Sequence, residues 1–164
     1  WCQNNPLGWM HWRHDEADRA LERFLRRLLS LRQQLAGLLN PELPVTQGPP
    51  QRSGETMPLW REWHGVDLQK PDWAEWSHCL AWSLHDGPHG PLLWCGMNAY
   101  YKAMHFALPP CDQGWMRLID TALPPGEDLS EQPQAWTPAG VPLESRSLIL
   151  MAAAPLALSL DLPA

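Results

Sequence analysis

Tyrosine and phenylalanine are scarce in this sequence, two of each against 11 tryptophans, so its large aromatic surface is nearly all indole. Basic residues are few as well: 12 Lys and Arg face 18 Asp and Glu, a formal net charge of −6. That balance gives no general affinity for phosphate backbones, and nucleic acid is not an expected partner. Cysteine is limited to Cys2, Cys79, Cys95 and Cys111, far apart and without a CxxC pair. The spacing fits neither a secreted disulfide scaffold nor a zinc finger, and a reduced, cytoplasmic chain is the simplest reading. The seven histidines form no HExxH, and GxSxG, the P-loop and GxGxxG are all missing, so no metal and no cofactor is expected. No apolar run is long enough to span a bilayer, because the Leu/Ala-rich stretch Leu148–Leu162 is broken by Pro155 and Asp161. The opening Trp1-Cys2-Gln3 has no initiator Met, no basic n-region and no apolar h-region. It reads as a chain cut from something longer, not as a signal peptide.

What is present is a helix followed by short β runs. Ala17, Ala20, Leu21, Phe24, Leu28, Leu31, Leu35 and Leu38 recur at steps of three and four and form one stripe over Asp15–Leu39. Asp15, Glu16 and Asp18 place negative charge where the free N–H groups of a helix start favour it, and Asn40-Pro41 is the expected stop. Such a helix has about 24 residues and spans roughly 36 Å. Leu25, Leu29 and Leu39 partly double the stripe, more apolar surface than a small β domain needs, which predicts a partner surface outside this chain. Six arginines (Arg13, Arg19, Arg23, Arg26, Arg27 and Arg32) alternate here with acids, the pattern of a solvated or docking face.

Residues 41–58 are rich in Pro, Gly, Gln, Ser and Thr and read as a linker. Residues 59–164 break into short runs bounded by turn residues: Leu59–Trp63, His78–Leu84, Leu92–Tyr100, Ala103–Leu108, Trp115–Asp120 and Ser145–Met151. With 18 prolines punctuating the chain, the fold class is mixed and mostly β, one long amino-terminal α-helix followed by an antiparallel β-sandwich.

Trp1-Cys2-Gln3-Asn4-Asn5-Pro6-Leu7-Gly8-Trp9-Met10-His11-Trp12 is similar to the stretch YCQDNEISWLDW of the isoamylase and glycogen-debranching branch of the α-amylase superfamily. Phe24–Arg32 resembles that family's FVRRLIALR helix. Trp63-His64-Gly65 with Pro71-Asp72-Trp73 resembles WHG…PDW, and Ser77–Ala81 resembles SHSLA. Asn98-Ala99-Tyr100, Phe106–Pro109, Arg117–Pro124 and Glu144–Leu148 resemble NAYW, FELP, RIVDTALP and EARSA. The resemblance implies that residues 1–40 are a terminal segment and the last helix of a (β/α)8 barrel, and residues 59–164 a carboxy-terminal β-sandwich domain. It also implies that the parent enzyme hydrolyses α-1,6 branches of glycogen or starch. Asn4, Pro6 and His11 replace the acidic residues of the first block; Asn5 and Trp9 are the positions it leaves as substrate contacts.

A retaining glycosidase needs two carboxyl groups about 5 Å apart, which the family places on earlier barrel strands. The acids here lie on the helix and in Pro-rich loops, with no such pair, so this chain alone has no catalytic residue and is expected to be inactive. Cys79 beside His78 is no nucleophile pair, since strand neighbours point to opposite faces. The partners implied are the missing barrel and, through it, an α-glucan. The alternatives are a stand-alone carbohydrate-binding module, with Trp60, Trp63, Trp73, Trp76, Trp82, Trp94, Trp115 and Trp136 as candidate platforms, or a protein-interaction piece working through the leucine stripe.

Overall fold

The computed structural model describes residues 4–9, 15–39 and 59–160. The linker expected at 41–58 lies outside them, as does the Asn40-Pro41 stop.

The stripe forms helix α1, Glu16–Gln34. Asp15 caps it, its Oδ1 accepting from the backbone N–H of Asp18 at 2.9 Å, with Glu16 and Asp18 in the first turn. The helix stops earlier than the periodicity predicts. Leu35 is its cap, and the amides of Leu38 and Leu39 fold back onto the Leu35 carbonyl at 2.9 and 3.0 Å. Gly37 sits in this turn, where a helix would cost about 1 kcal/mol relative to alanine. Tightening here lets Leu35 and Leu38 both pack on the core.

Eight strands follow: β1 Leu59–His64, β2 Cys79–Asp86, β3 Pro91–Asn98, β4 Met104–Ala107, β5 Trp115–Asp120, β6 Leu129–Trp136, β7 Gly140–Leu143 and β8 Ser147–Ala153, with a short helix α2 at Ala154–Ser159. All six predicted runs are strands; β6, β7 and α2 are additions. The large sheet has the order β1-β2-β3-β8-β5-β6 and β4 pairs with β7, every pairing antiparallel. β6 carries Pro133 inside the strand, which its position at the sheet edge permits.

Both faces of the large sheet are covered. On one, Ala81, Trp94, Ile149 and Met151 pack against Phe106, Val141 and Leu143 of the two-stranded sheet, the two layers of the expected sandwich. On the other, Leu84, Leu93, Leu118, Leu129 and Ala152 pack against Leu31 and Leu35 of α1 and Ala157 of α2. Covering from both sides explains β2, where Ala81 and Ser83 are as completely buried as Leu84 although the sequence predicts one mixed face.

The helix therefore shares the core of the β region, and the expectation that its stripe lacks a partner divides in two. Phe24, Leu28, Leu31, Leu35 and Leu38 lie on the protein's own sheet. Leu21, Leu25 and Leu29, one i, i+4 row on another side, stay 59%, 47% and 56% exposed. The basic face divides too. Arg23 Nη2 bonds Asp128 Oδ1 at 2.5 Å, and buried Arg27 donates through Nη1 to the Leu129 carbonyl at 3.0 Å, fastening α1 to the start of β6. Burial alone would push the Asp128 carboxyl up, but the Arg23 hydrogen bond and the amides of Leu129 and Gly126 hold it below its ordinary value.

Leu31→Ala should cost about 3 kcal/mol in urea unfolding of the chain, whereas Leu25→Ala should change stability by less than about 0.5 kcal/mol. Equal losses for the two would contradict the division of the helix into a covered and an open face.

Candidate functional site

The site grows from polar residues on the sandwich-facing side of β1 and β2. Alternation puts Trp60, Glu62 and His64 on one face of β1, and the register sets them opposite His85, Ser83 and Ala81. Trp60 stacks on the His85 ring, centroids 4.6 Å apart. Ser83 Oγ lies 2.8 Å from His64 Nε2 and 2.6 Å from His85 Nε2, and Glu62 Oε2 lies 3.8 Å from each of these nitrogens. A Ser, two His and a Glu invite comparison with a nucleophile and its base, but Ser83, His64 and Glu62 are buried, Ser83 completely, and no substrate carbonyl can reach the hydroxyl. The cluster is an anchor.

What it anchors is the loop after β1. The Gln69 amide donates to His64 Nδ1 at 2.9 Å, and its side-chain Nε2 to Glu62 Oε1 at 3.0 Å. These two bonds hold Gln69 at φ +59°, a left-handed conformation unusual for a side chain of this size. Gly65 completes the turn, since a Cβ there would collide with the Lys70 carbonyl oxygen.

The pinned loop forms one wall of an open groove of about 470 Å³. Gly65, Asp67, Asp72 and Trp76 line one part of it, and Cys79, Tyr100 and Met104 another. A second depression of about 350 Å³ shares Asp72, Ser77, His78 and Cys79 with it and continues past Trp73 to Met97 and Ala99. Asn98 fixes the far wall: its Oδ1 accepts from the Tyr100 amide, and its Nδ2 donates to the carbonyls of Lys102, Leu143 and Glu144. The His78 ring meets Tyr100 edge-on at 5.8 Å, and Tyr100 lies 4.4 Å from Tyr101. A hydrogen bond with Tyr101 raises the Tyr100 phenol above its ordinary value. Burial likewise raises the Cys79 thiol, whose Sγ is 3.5 Å from Asn98 Oδ1; it is no thiolate nucleophile.

The tryptophans separate by exposure. Trp60, Trp94 and Trp115 are buried, Trp63, Trp82 and Trp136 half-buried, and Trp73 and Trp76 are 65% and 78% exposed on the groove rim. Neither Trp60 nor Trp63 leaves its ring fully open, because Trp60 is buried against His85 and half-buried Trp63 packs edge-on against Trp73 at 5.6 Å. Asn5 and Trp9 lie apart from the groove, in a turn of the amino-terminal segment. Asn5 Oδ1 accepts from the Leu7 amide at 3.0 Å, and exposed Trp9 donates to Asn4 Oδ1 at 2.7 Å. His85 and His89 stand four apart in sequence, but His85 lies in β2 and His89 is the last residue of the 3₁₀ turn Gly87–His89. Among the described residues no cluster of His, Cys, Asp or Glu is gathered for a metal, and no helix is long and apolar enough to cross a membrane.

Residues 62–138, from the Glu62 anchor to just beyond β6, match the family described as Isoamylase 1-3, C-terminal. The chain is 26% identical over 125 residues to isoamylase 1, chloroplastic, of Oryza sativa subsp. japonica, a match covering 76% of this chain and 14% of that protein. It is 32% identical over 80 residues to the glycogen debranching enzyme of Pectobacterium atrosepticum, covering 49% of this chain and 11% of that protein. Residues 62–138 are thus similar to the carboxy-terminal region of isoamylase-type proteins, and the chain spans a small fraction of the length of the relatives it matches.

The buried histidines give the anchor a pH dependence. Burial lowers both His64 and His85 below the ordinary value of 6.5, against the opposing pull of the Glu62 carboxylate, and His85 lowers His64 further. Both therefore bind a proton less readily in the folded state than in the unfolded chain, which takes up their protons near pH 6.5. Their contribution is complete above that pH and is lost as pH falls below it. The urea midpoint should therefore drop between about pH 7.5 and about pH 5.5, and less so in a His85→Gln variant. A midpoint equally pH-dependent in both proteins would contradict this.

Proposed function

We propose that this chain is the carboxy-terminal part of a starch- or glycogen-debranching enzyme whose activity is hydrolysis of α-1,6-glucosidic branches. In this reading residues 1–40 are the terminal segment and last helix of a (β/α)8 barrel, 41–58 a linker, and 59–164 the domain that covers part of the barrel and stabilises it. The observation that carries the reading is the isoamylase-type match over 62–138, which spans the strands from β1 through β6. It favours a debranching enzyme over a free-standing carbohydrate-binding module.

The exposed Leu21, Leu25 and Leu29 support the barrel assignment of α1. An open leucine row on a helix already fastened to one sheet is the surface that a second protein layer covers. Asn5 and Trp9, in the segment before that helix, are then sugar contacts next to the catalytic centre. Free thiols at Cys79, Cys95 and Cys111 support a reducing compartment, which we take to be the cytoplasm. The α-glucan is a partner through the parent, because glycoside hydrolysis requires a nucleophile and an acid/base carboxyl that the barrel provides.

The purified 164-residue chain should release no reducing ends from glycogen or pullulan, whereas a polypeptide that joins it to its barrel should release them from both. Active-site-dependent release by the chain alone would overturn the reading.

A further inference from the structure

We infer that the groove between the 65–78 loop and Tyr100–Met104 is a binding site for a neutral α-glucan chain, separate from any catalytic centre, with Trp76 and Trp73 as its stacking platforms. That the glycan is an α-glucan rests on the debranching reading; that the ligand is a sugar rests on the groove. Both indoles are mostly exposed although the molecule buries other tryptophans, and they stand three residues apart on a loop pinned from below by His64 and Glu62. Flat apolar faces are what the C–H faces of a pyranose ring need, and the pinning of their loop at Gln69 lowers the ordering cost of binding.

The groove that Trp76 lines also holds groups that match hydroxyls: the side chains of Asp67, Lys70, Asp72, Ser77 and His78, of which Asp72, Ser77 and His78 line the second depression with Trp73. Lys70 Nζ is 3.4 Å from Asp67 Oδ2, so the loop presents a compensated donor and acceptor pair and no concentrated positive charge. With two carboxylates in the lining and a net charge of −6, a phosphorylated or otherwise anionic ligand is disfavoured. The two adjoining depressions share one rim, Asp72 and Ser77 to Cys79. An elongated, open trough of this kind suits a run of sugar units better than one enclosed small molecule.

The test is quenching of intrinsic tryptophan fluorescence of the 164-residue chain by maltoheptaose, with cellohexaose as the β-linked control and glycogen in an affinity gel. Maltoheptaose should quench saturably, glycogen should retard the chain, and cellohexaose should do less. Trp76→Ala, at an exposed position, should keep the circular dichroism and urea midpoint of the parent while weakening maltoheptaose binding about tenfold; Trp73→Ala should also weaken it, and Leu158→Ala, at an exposed position of α2, should leave it unchanged. Absence of maltoheptaose and glycogen binding overturns the site and leaves the debranching reading standing. Binding that survives the Trp73→Ala, Trp76→Ala double variant also overturns it. Equal or tighter cellohexaose binding overturns the α-glucan assignment and counts against the debranching reading as well.

Discussion

The structure depends on the burial of one face of α1 against the large sheet. A sheet covered by a two-stranded layer on one side alone would leave Leu84, Leu93, Leu118 and Leu129 in water, and four such side chains are worth about 1.5–3 kcal/mol each. Leu31 and Leu35, together with Ala157 of α2, close that face, and Arg23 and Arg27 fasten the helix through Asp128 and the Leu129 carbonyl. The helix cannot be removed as a separate appendage. Because its inner side is spent in this way, its outer row of Leu21, Leu25 and Leu29 stays open, and in the proposed reading this is the side that meets a barrel.

A second constraint works at the opposite side of the sheet. Buried polar side chains are tolerated only when they are paired, and Glu62, His64, Ser83 and His85 satisfy one another while directing two further bonds to Gln69. The cost of keeping polar groups in the sandwich is offset by a defined loop. That loop then presents Trp73 and Trp76 outward, so the chemistry of the exposed groove is set by residues that never touch it.

Much of this was legible in the sequence, for physical reasons that differ by element. The 3.6-residue spacing of Ala20, Phe24, Leu28 and Leu31 announces α1, and blocks such as Trp63-His64-Gly65 fall in the stretch that matches the isoamylase carboxy-terminal family. β6 escapes because Leu-Ser-Glu-Gln-Pro-Gln-Ala-Trp has no apolar alternation, which an edge strand does not need. β7 is only four residues with a proline among them. The anchor is illegible because periodicity counts apolar side chains, and here the inward positions of β1 are Trp, Glu and His. The groove joins residues from two distant stretches, and whether an indole is buried or open depends on that assembly and not on its neighbours in sequence.

The most direct test of the central proposal, that α1, which packs its own sheet with one face, meets a catalytic barrel with the other, is thiol labelling of a Leu25→Cys variant read by peptide mass. The account predicts rapid labelling in the 164-residue chain and strong protection in a longer polypeptide that joins it to the proposed barrel. Equal labelling in the two would contradict it.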